Sequence, residues 1–75
     1  MASANLEDIK KIVATQLGAG KVNDTDRVVE DLGAESSDVA NIIAAVEDKY
    51  KITVSEDTIK SISTIRDIFM VVQKA

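Results

Sequence analysis

Ser36-Ser37-Asp38-Val39-Ala40-Asn41-Ile42-Ile43-Ala44-Ala45-Val46-Glu47-Asp48-Lys49-Tyr50 is the best-defined stretch of this chain. Val39, Ile42, Ile43, Val46 and Tyr50 fall at i, i+3, i+4, i+7 and i+11, which is one apolar stripe on an α-helix, and the acids Asp38, Glu47 and Asp48 lie off it. The spacing predicts a helix over Ser36–Tyr50.

Working outward, Leu6, Ile9, Val13 and Leu17, with Ile12 beside them, repeat the same steps and predict an earlier helix. Asn5 or Ser3 can cap its start, and Gly18 and Gly20 end it, because glycine accepts the left-handed conformation without a side-chain clash. Gly20 to Glu35 then reads as a long loop of polar and turn-forming residues, with Val28 and Leu32 as its apolar ties. Beyond Tyr50, Ile52, Thr53 and Val54 read as briefly extended. Ser55 followed by Glu56 and Asp57 caps a short helix through Ile59. Thr64, with Asp67 able to reach back to it, caps a last helix whose apolar face is Ile65, Ile68, Phe69 and Val72 and whose end Lys74 complements. The expected fold is all-α: a small four-helix bundle with three long helices, one short helix and a long loop between the first two. No proline, repeat or low-complexity tract divides residues 1–75, so one domain is expected.

At 75 residues the core is thin, since a domain of this size buries only about 60% of the surface its unfolded chain exposes. There is no cysteine for a disulfide and no histidine for a soft metal site, so helix packing alone must hold it. The 45% apolar content, with one Phe, one Tyr and no Trp, is nearly all Ile, Val, Leu and Ala. Met1 to Asn5 lack the basic and apolar regions of a leader, and no segment is long enough to span a bilayer, so a cytoplasmic protein is expected; a monomer is expected as well. The net charge of −4 disfavours nucleic acid and anionic membrane as partners. Between Glu30 and Asp48 stand six acids (Glu30, Asp31, Glu35, Asp38, Glu47, Asp48) and no base, leaving seven acids and nine bases elsewhere. That window is −6 and the remainder +2, which points to basic protein partners.

Several chemistries can be set aside. Gly18-Ala19-Gly20-Lys21 is not a P-loop, because Thr15 stands where the first glycine belongs and Val22 where Ser or Thr does; a dinucleotide fingerprint fails for want of a third glycine and a preceding strand. Asp24 and Asp26 alternate as in a calcium loop, yet Val28 and Val29 occupy the next ligand and glycine positions. That leaves at most weak divalent binding by the acids. Ser36 and Ser37 lack the base that a nucleophilic serine needs, with no histidine anywhere and Lys49 and Lys51 at the far end of the helix.

Two roles remain for these serines. One of them can simply cap the helix. Alternatively, a phosphodiester on Ser36 would sit against unpaired backbone N–H groups and the positive end of the helix dipole. Gly33, two residues before Glu35, would keep the approach unhindered and flexible for another enzyme's active site.

The run Glu30-Asp31-Leu32-Gly33-Ala34-Glu35-Ser36 resembles the attachment motif of acyl carrier proteins. The resemblance extends over essentially the whole chain, through the Ala45–Tyr50 and Thr64–Phe69 segments. It implies that Ser36 carries 4′-phosphopantetheine, whose thiol holds acyl groups as thioesters, and that the chain is a shuttle rather than an enzyme. A phosphopantetheinyl transferase, acyl-transfer enzymes and chain-elongation enzymes with basic docking surfaces would be its partners, in fatty acid, lipid or polyketide-type synthesis. Asp31, Glu35, Ser37, Asp38, Glu47 and Asp48 would form the contact surface. Glu35 stands in place of the usual aspartate and Ser37 in place of the usual leucine. Asn41 and Lys49 occupy positions that are commonly acidic, and Ser55 one that is frequently proline. These departures suggest a specialised carrier. A peptidyl, aryl or D-alanyl carrier is the alternative within the class, and an unmodified helical interaction domain the alternative outside it.

Val39, Ile42, Ile43, Val46, Ile62, Phe69 and Val72 are the candidate lining for an acyl chain, with Ala40, Ala44 and Ala45 leaving room for it. The same alanines equally serve close helix contact.

Overall fold

The computed structural model describes residues 5–74. Four helices follow in order: α1 (Leu6–Leu17), α2 (Ser36–Tyr50), α3 (Glu56–Ser61) and α4 (Ile65–Lys74). Among the described residues β-pairing amounts to one isolated bridge between Arg27 and Thr64, so the all-α bundle expected from periodicity is what forms.

Each helix starts on a polar side chain or backbone cap. Asn5 Oδ1 accepts from the Glu7 N–H at 2.9 Å, while the rival cap Ser3 lies outside the described residues. Gly18, at φ +67°, ends α1, and the Ala19 N–H closes the turn onto the Ala14 carbonyl at 2.9 Å. Ser55 Oγ accepts from the Thr58 N–H at 3.2 Å ahead of α3. At α4 the Asp67 N–H donates to Thr64 Oγ1 at 3.1 Å and the Thr64 N–H donates to Asp67 Oδ2 at 3.0 Å, a reciprocal capping box. Together with a further bond from the Ser63 N–H, the donors hold the Asp67 carboxyl below its ordinary pKa.

The apolar stripes meet in one core. Ile9 and Val13 of α1, Ile42, Ile43, Val46 and Tyr50 of α2, and Ile65, Ile68 and Val72 of α4 are buried, with Leu6, Ile12, Leu17, Val39, Ile62 and Phe69 packed partly exposed around them. α1 packs on both α2 and α4, α2 touches α4, and α3 contributes no buried residue.

The segment between α1 and α2 is bound more tightly than its composition suggests. Val28 is buried and Leu32 packs partly buried, as their role of ties requires, and Val22 and Ala34 are buried with them. Backbone bonds do the rest: the Val28 N–H donates to the Ser63 carbonyl at 2.8 Å, the Ile65 N–H to that of Asp26 at 3.2 Å, and the Arg66 N–H to that of Asp24 at 2.9 Å. The aspartates that alternate like calcium ligands are structural. Asp26 accepts from the Asn23 N–H at 2.8 Å, and Asp24 faces the Arg66 guanidinium at 3.7 Å.

Candidate functional site

The approach to α2 is pinned residue by residue. Arg27 to Gly33 form a turn in which the Asp31 N–H donates to the Arg27 carbonyl at 2.8 Å and the Gly33 N–H to that of Val29 at 3.1 Å. Gly33 sits at φ +74°, a conformation that suits glycine. The Ala34 methyl is buried, and its N–H donates to the Val28 carbonyl at 3.1 Å. Glu35 is the N-cap, in extended backbone, and its N–H donates to Asp38 Oδ2 at 3.0 Å.

Two sequence readings change here. The cap of α2 is Glu35 rather than either serine, so capping does not explain Ser36 or Ser37. Gly33 does leave open space, with nothing within 4 Å of where a Cβ would lie, but it serves as a fixed left-handed corner rather than a flexible hinge.

Ser36 and Ser37 are the first two residues of α2, both exposed, and among the described residues neither hydroxyl has a hydrogen-bond partner. The N–H groups of a helix's first turn have no intrahelical acceptor, so an anionic substituent at this end meets free donors and the positive end of the dipole. An exposed, uncommitted hydroxyl at such a helix start fits a phosphodiester-linked group.

The family model that matches residues 7–69 is the phosphopantetheine attachment site. The chain belongs to the acyl carrier protein family. It is 36% identical to the acyl carrier protein of a Sulfurovum species over 85% of this chain and 88% of that protein. It is also 36% identical to that of Wolinella succinogenes over 87% and 88%, and 38% identical to that of Syntrophobacter fumaroxidans over 81% and 78%. The prosthetic group of an acyl carrier protein is a covalently bound 4′-phosphopantetheine, and the start of α2 offers this group an accessible hydroxyl.

Around that hydroxyl of this acyl carrier protein, the candidate contact acids are not equivalent. Asp31 is held by Arg27 three ways: the Arg27 N–H and Nε donate to Oδ2 at 2.8 and 3.3 Å, and Nη2 donates to Oδ1 at 3.2 Å. The guanidinium bonds, with the backbone donor, keep the Asp31 carboxyl below its usual range. Arg27 Nη1 also donates to Glu30 at 2.6 Å. Asp38 is spent on the Glu35 N–H, and Glu47 Oε2 accepts from the Val54 N–H at 2.7 Å, bracing the segment after α2. Both keep their charge, since an amide is not a counter-ion. Glu35 and Asp48 stand exposed, and Asp48 has Lys51 at 4.0 Å. The acidic window is thus bounded by Arg27 on one side and by Lys49 and Lys51 on the other.

The candidate cargo lining divides by depth. Ile42, Ile43, Val46 and Val72 are buried in the close-packed core, and Val39, Ile62 and Phe69 lie partly exposed at its edge. Ala40 and Ala44 are exposed, so the idea that they leave room inside is corrected: four residues apart on one flank of α2, they face away from the stripe that packs. Ala45 is partly buried but belongs to an open groove of about 240 Å³ against α1. A larger groove of about 510 Å³ also lies on the α1 side, and neither touches the seven candidate lining residues.

Sequence reading took Tyr50 as a plain apolar position and missed its polar end. Its hydroxyl is buried and meets no well-formed hydrogen-bond partner among the described residues, and burial, aided by the Asp8 charge and only partly opposed by the Asn5 backbone, pushes its pKa above the ordinary value. The signal was available: tyrosine closes a stripe that is otherwise Val and Ile.

Proposed function

We propose that Ser36 is the attachment residue and that the chain acts as a non-catalytic shuttle. It would carry acyl groups between enzymes of cytoplasmic fatty acid, lipid or polyketide-type synthesis. The observation that carries this reading is the exposed Ser36 hydroxyl at the first residue of α2, unpartnered among the described residues, in a chain of the acyl carrier family. When bound, 4′-phosphopantetheine supplies a terminal thiol on which acyl groups ride as thioesters. This chain's own residues do the presenting. Ala34, buried, and Gly33, in its left-handed corner, fix where the chain emerges, and Asp38 locks the first turn by accepting from Glu35. The Ser36 and Ser37 N–H groups, at the positive end of the dipole, stabilise the phosphodiester charge, the Asp38 N–H being taken by the Glu35 side chain. Proton removal from Ser36 belongs to the transferase, because this chain has no histidine and its lysines on α2 are at the opposite end.

The acidic residues Glu35, Asp38, Glu47 and Asp48, with Asp31 nearby and Ser37 in place of an apolar knob, form the docking surface for Arg and Lys of partners. Charge-led association of this kind is fast, salt-sensitive and transient, which suits a shuttle. Cargo enters past Val39, Ile62 and Phe69 and displaces the contacts of Ile42, Ile43, Val46 and Val72.

Intact mass spectrometry after incubation with coenzyme A and a phosphopantetheinyl transferase tests the assignment. The parent and Ser37→Ala gain the phosphopantetheinyl mass, and Ser36→Ala does not. A modified Ser36→Ala protein would overturn the site, and an unmodified parent the carrier reading.

A further inference from the structure

Among the described residues, Arg27 is the one cation paired with the loop acids Glu30 and Asp31. Its guanidinium holds Glu30 through Nη1 at 2.6 Å and Asp31 through Nη2 at 3.2 Å and Nε at 3.3 Å. All three side chains are well exposed, Arg27 by 50%, Glu30 by 61% and Asp31 by 39%, so an incoming partner meets the same groups.

We infer that Arg27 sets partner specificity by masking the loop half of the acidic surface, so that Glu30 and Asp31 present about one negative charge instead of two to a basic docking partner. This rests on the carrier reading above. The physical case has three steps. A planar guanidinium fork matches carboxylates in the way a partner's arginine would, so Arg27 competes for the same oxygens. An exposed pair is worth only about 0–1 kcal/mol, so the masking is exchangeable rather than a permanent lock. And the masked acids lie close enough to matter: Asp31 is five residues from Ser36, below the extended limit of about 18 Å because the chain turns at Gly33, a separation comparable with the roughly 16 Å that a standard interface of about 800 Å² per partner reaches from its centre.

The masking is separable from folding. The turn that begins at Arg27 is held by backbone groups that survive loss of the side chain: the Arg27 N–H to Asp31 Oδ2 at 2.8 Å, the Asp31 N–H to the Arg27 carbonyl at 2.8 Å, and the bridge to Thr64. Asp38 and Glu47 differ in kind from the masked pair, because each gives its carboxylate to an amide and stays a full charge toward a partner.

The test is the rate of modification by a phosphopantetheinyl transferase with coenzyme A, measured against ionic strength for the parent, Arg27→Gln, Arg27→Lys and Lys74→Gln. Lys74→Gln makes the same change in net charge at the far end of α4, about 15 Å along the helix from the Arg27–Thr64 bridge. Arg27→Gln is expected to raise kcat/KM about two- to threefold at low salt, through KM, and to steepen the salt dependence. Arg27→Lys, which keeps the charge but not the fork, should fall between the parent and Arg27→Gln, and Lys74→Gln should change neither quantity. A rate for Arg27→Gln that is unchanged, lowered, or matched by Lys74→Gln would overturn the inference, whereas a parent that is not modified at all would overturn the carrier reading instead. If Arg27→Gln fails to fold, a second comparison decides: Glu30→Gln, whose charge is already offset, should reduce the salt dependence less than Glu47→Gln, which removes a charge bonded only to an amide and keeps an acceptor for the Val54 N–H. The opposite order refutes masking.

Discussion

α2 is approached through Gly33 at φ +74° and left through Lys51 at φ +58°, two left-handed corners occupied by residues of very different tolerance. At the start, the corner is a glycine and the bracing is local: Asp38 accepts from Glu35, three residues away. At the end, the corner is a lysine with a Cβ to accommodate, and the bracing spans seven residues, from the Glu47 carboxylate to the Val54 N–H. The start is built so that an exposed serine keeps one position without strain. The end stores strain and relies on the bond to the buried Val54 to hold it, as befits a region that supports the site without presenting it.

This contrast can be broken by experiment. The largest effect is expected from Glu47→Ala, which leaves the Val54 N–H beside a nearly buried residue without its acceptor and costs about 1–3 kcal/mol in urea unfolding. A loss under 0.5 kcal/mol would mean that the end of α2 needs no such brace. Next is Gly33→Ala. Open space around Gly33 means that no clash arises, so the cost is conformational, about 1–2 kcal/mol, and Gly33→Asn, which tolerates the left-handed region, should lose less. Equal losses for Ala and Asn would remove the conformational argument. Lys51→Gly has the opposite sign, a gain of about 0.5–1 kcal/mol by thermal melts, because it relieves the corner at the end.

The smallest effects are in pH, and the two ends divide them. Asp31, near the start, has its pKa lowered on folding, chiefly by the Arg27 side chain. Its contribution is therefore present above the unfolded value and is lost as pH falls below about 4. Tyr50, at the end, has its pKa raised by burial. Its contribution is present below the unfolded value and declines above about pH 10, where the unfolded chain ionises first. Stability-against-pH curves of Asp31→Asn and Tyr50→Phe should each flatten one limb and leave the other intact.

The helices were legible because their signals are local. The stripe of Val39, Ile42, Ile43, Val46 and Tyr50 marks α2 to its ends, and Gly18, Ser55, Thr64 and Asp67 act within four residues of where they stand. The candidate site was legible in part. Ser36 emerged from its place at a helix start and from the family motif, but the residue that caps α2 did not, because glutamate is a weaker cap signal than the serines beside it. Ala40 and Ala44 were misjudged, since alanine reads alike on either face of a helix and only the packing of α2 on α1 and α4 turns them outward.

Periodicity and capping chemistry alone therefore dictated four helices and an exposed hydroxyl at the head of the second. What tertiary structure decided is the path of the segment between α1 and α2. Val22, Val28 and Ala34 sink into the core, and Asp24 to Val28 bond to Ser63 to Arg66. Those backbone partners lie more than thirty residues apart and follow no repeat, so no local pattern encodes them. They form only once the helices have placed one segment against the other.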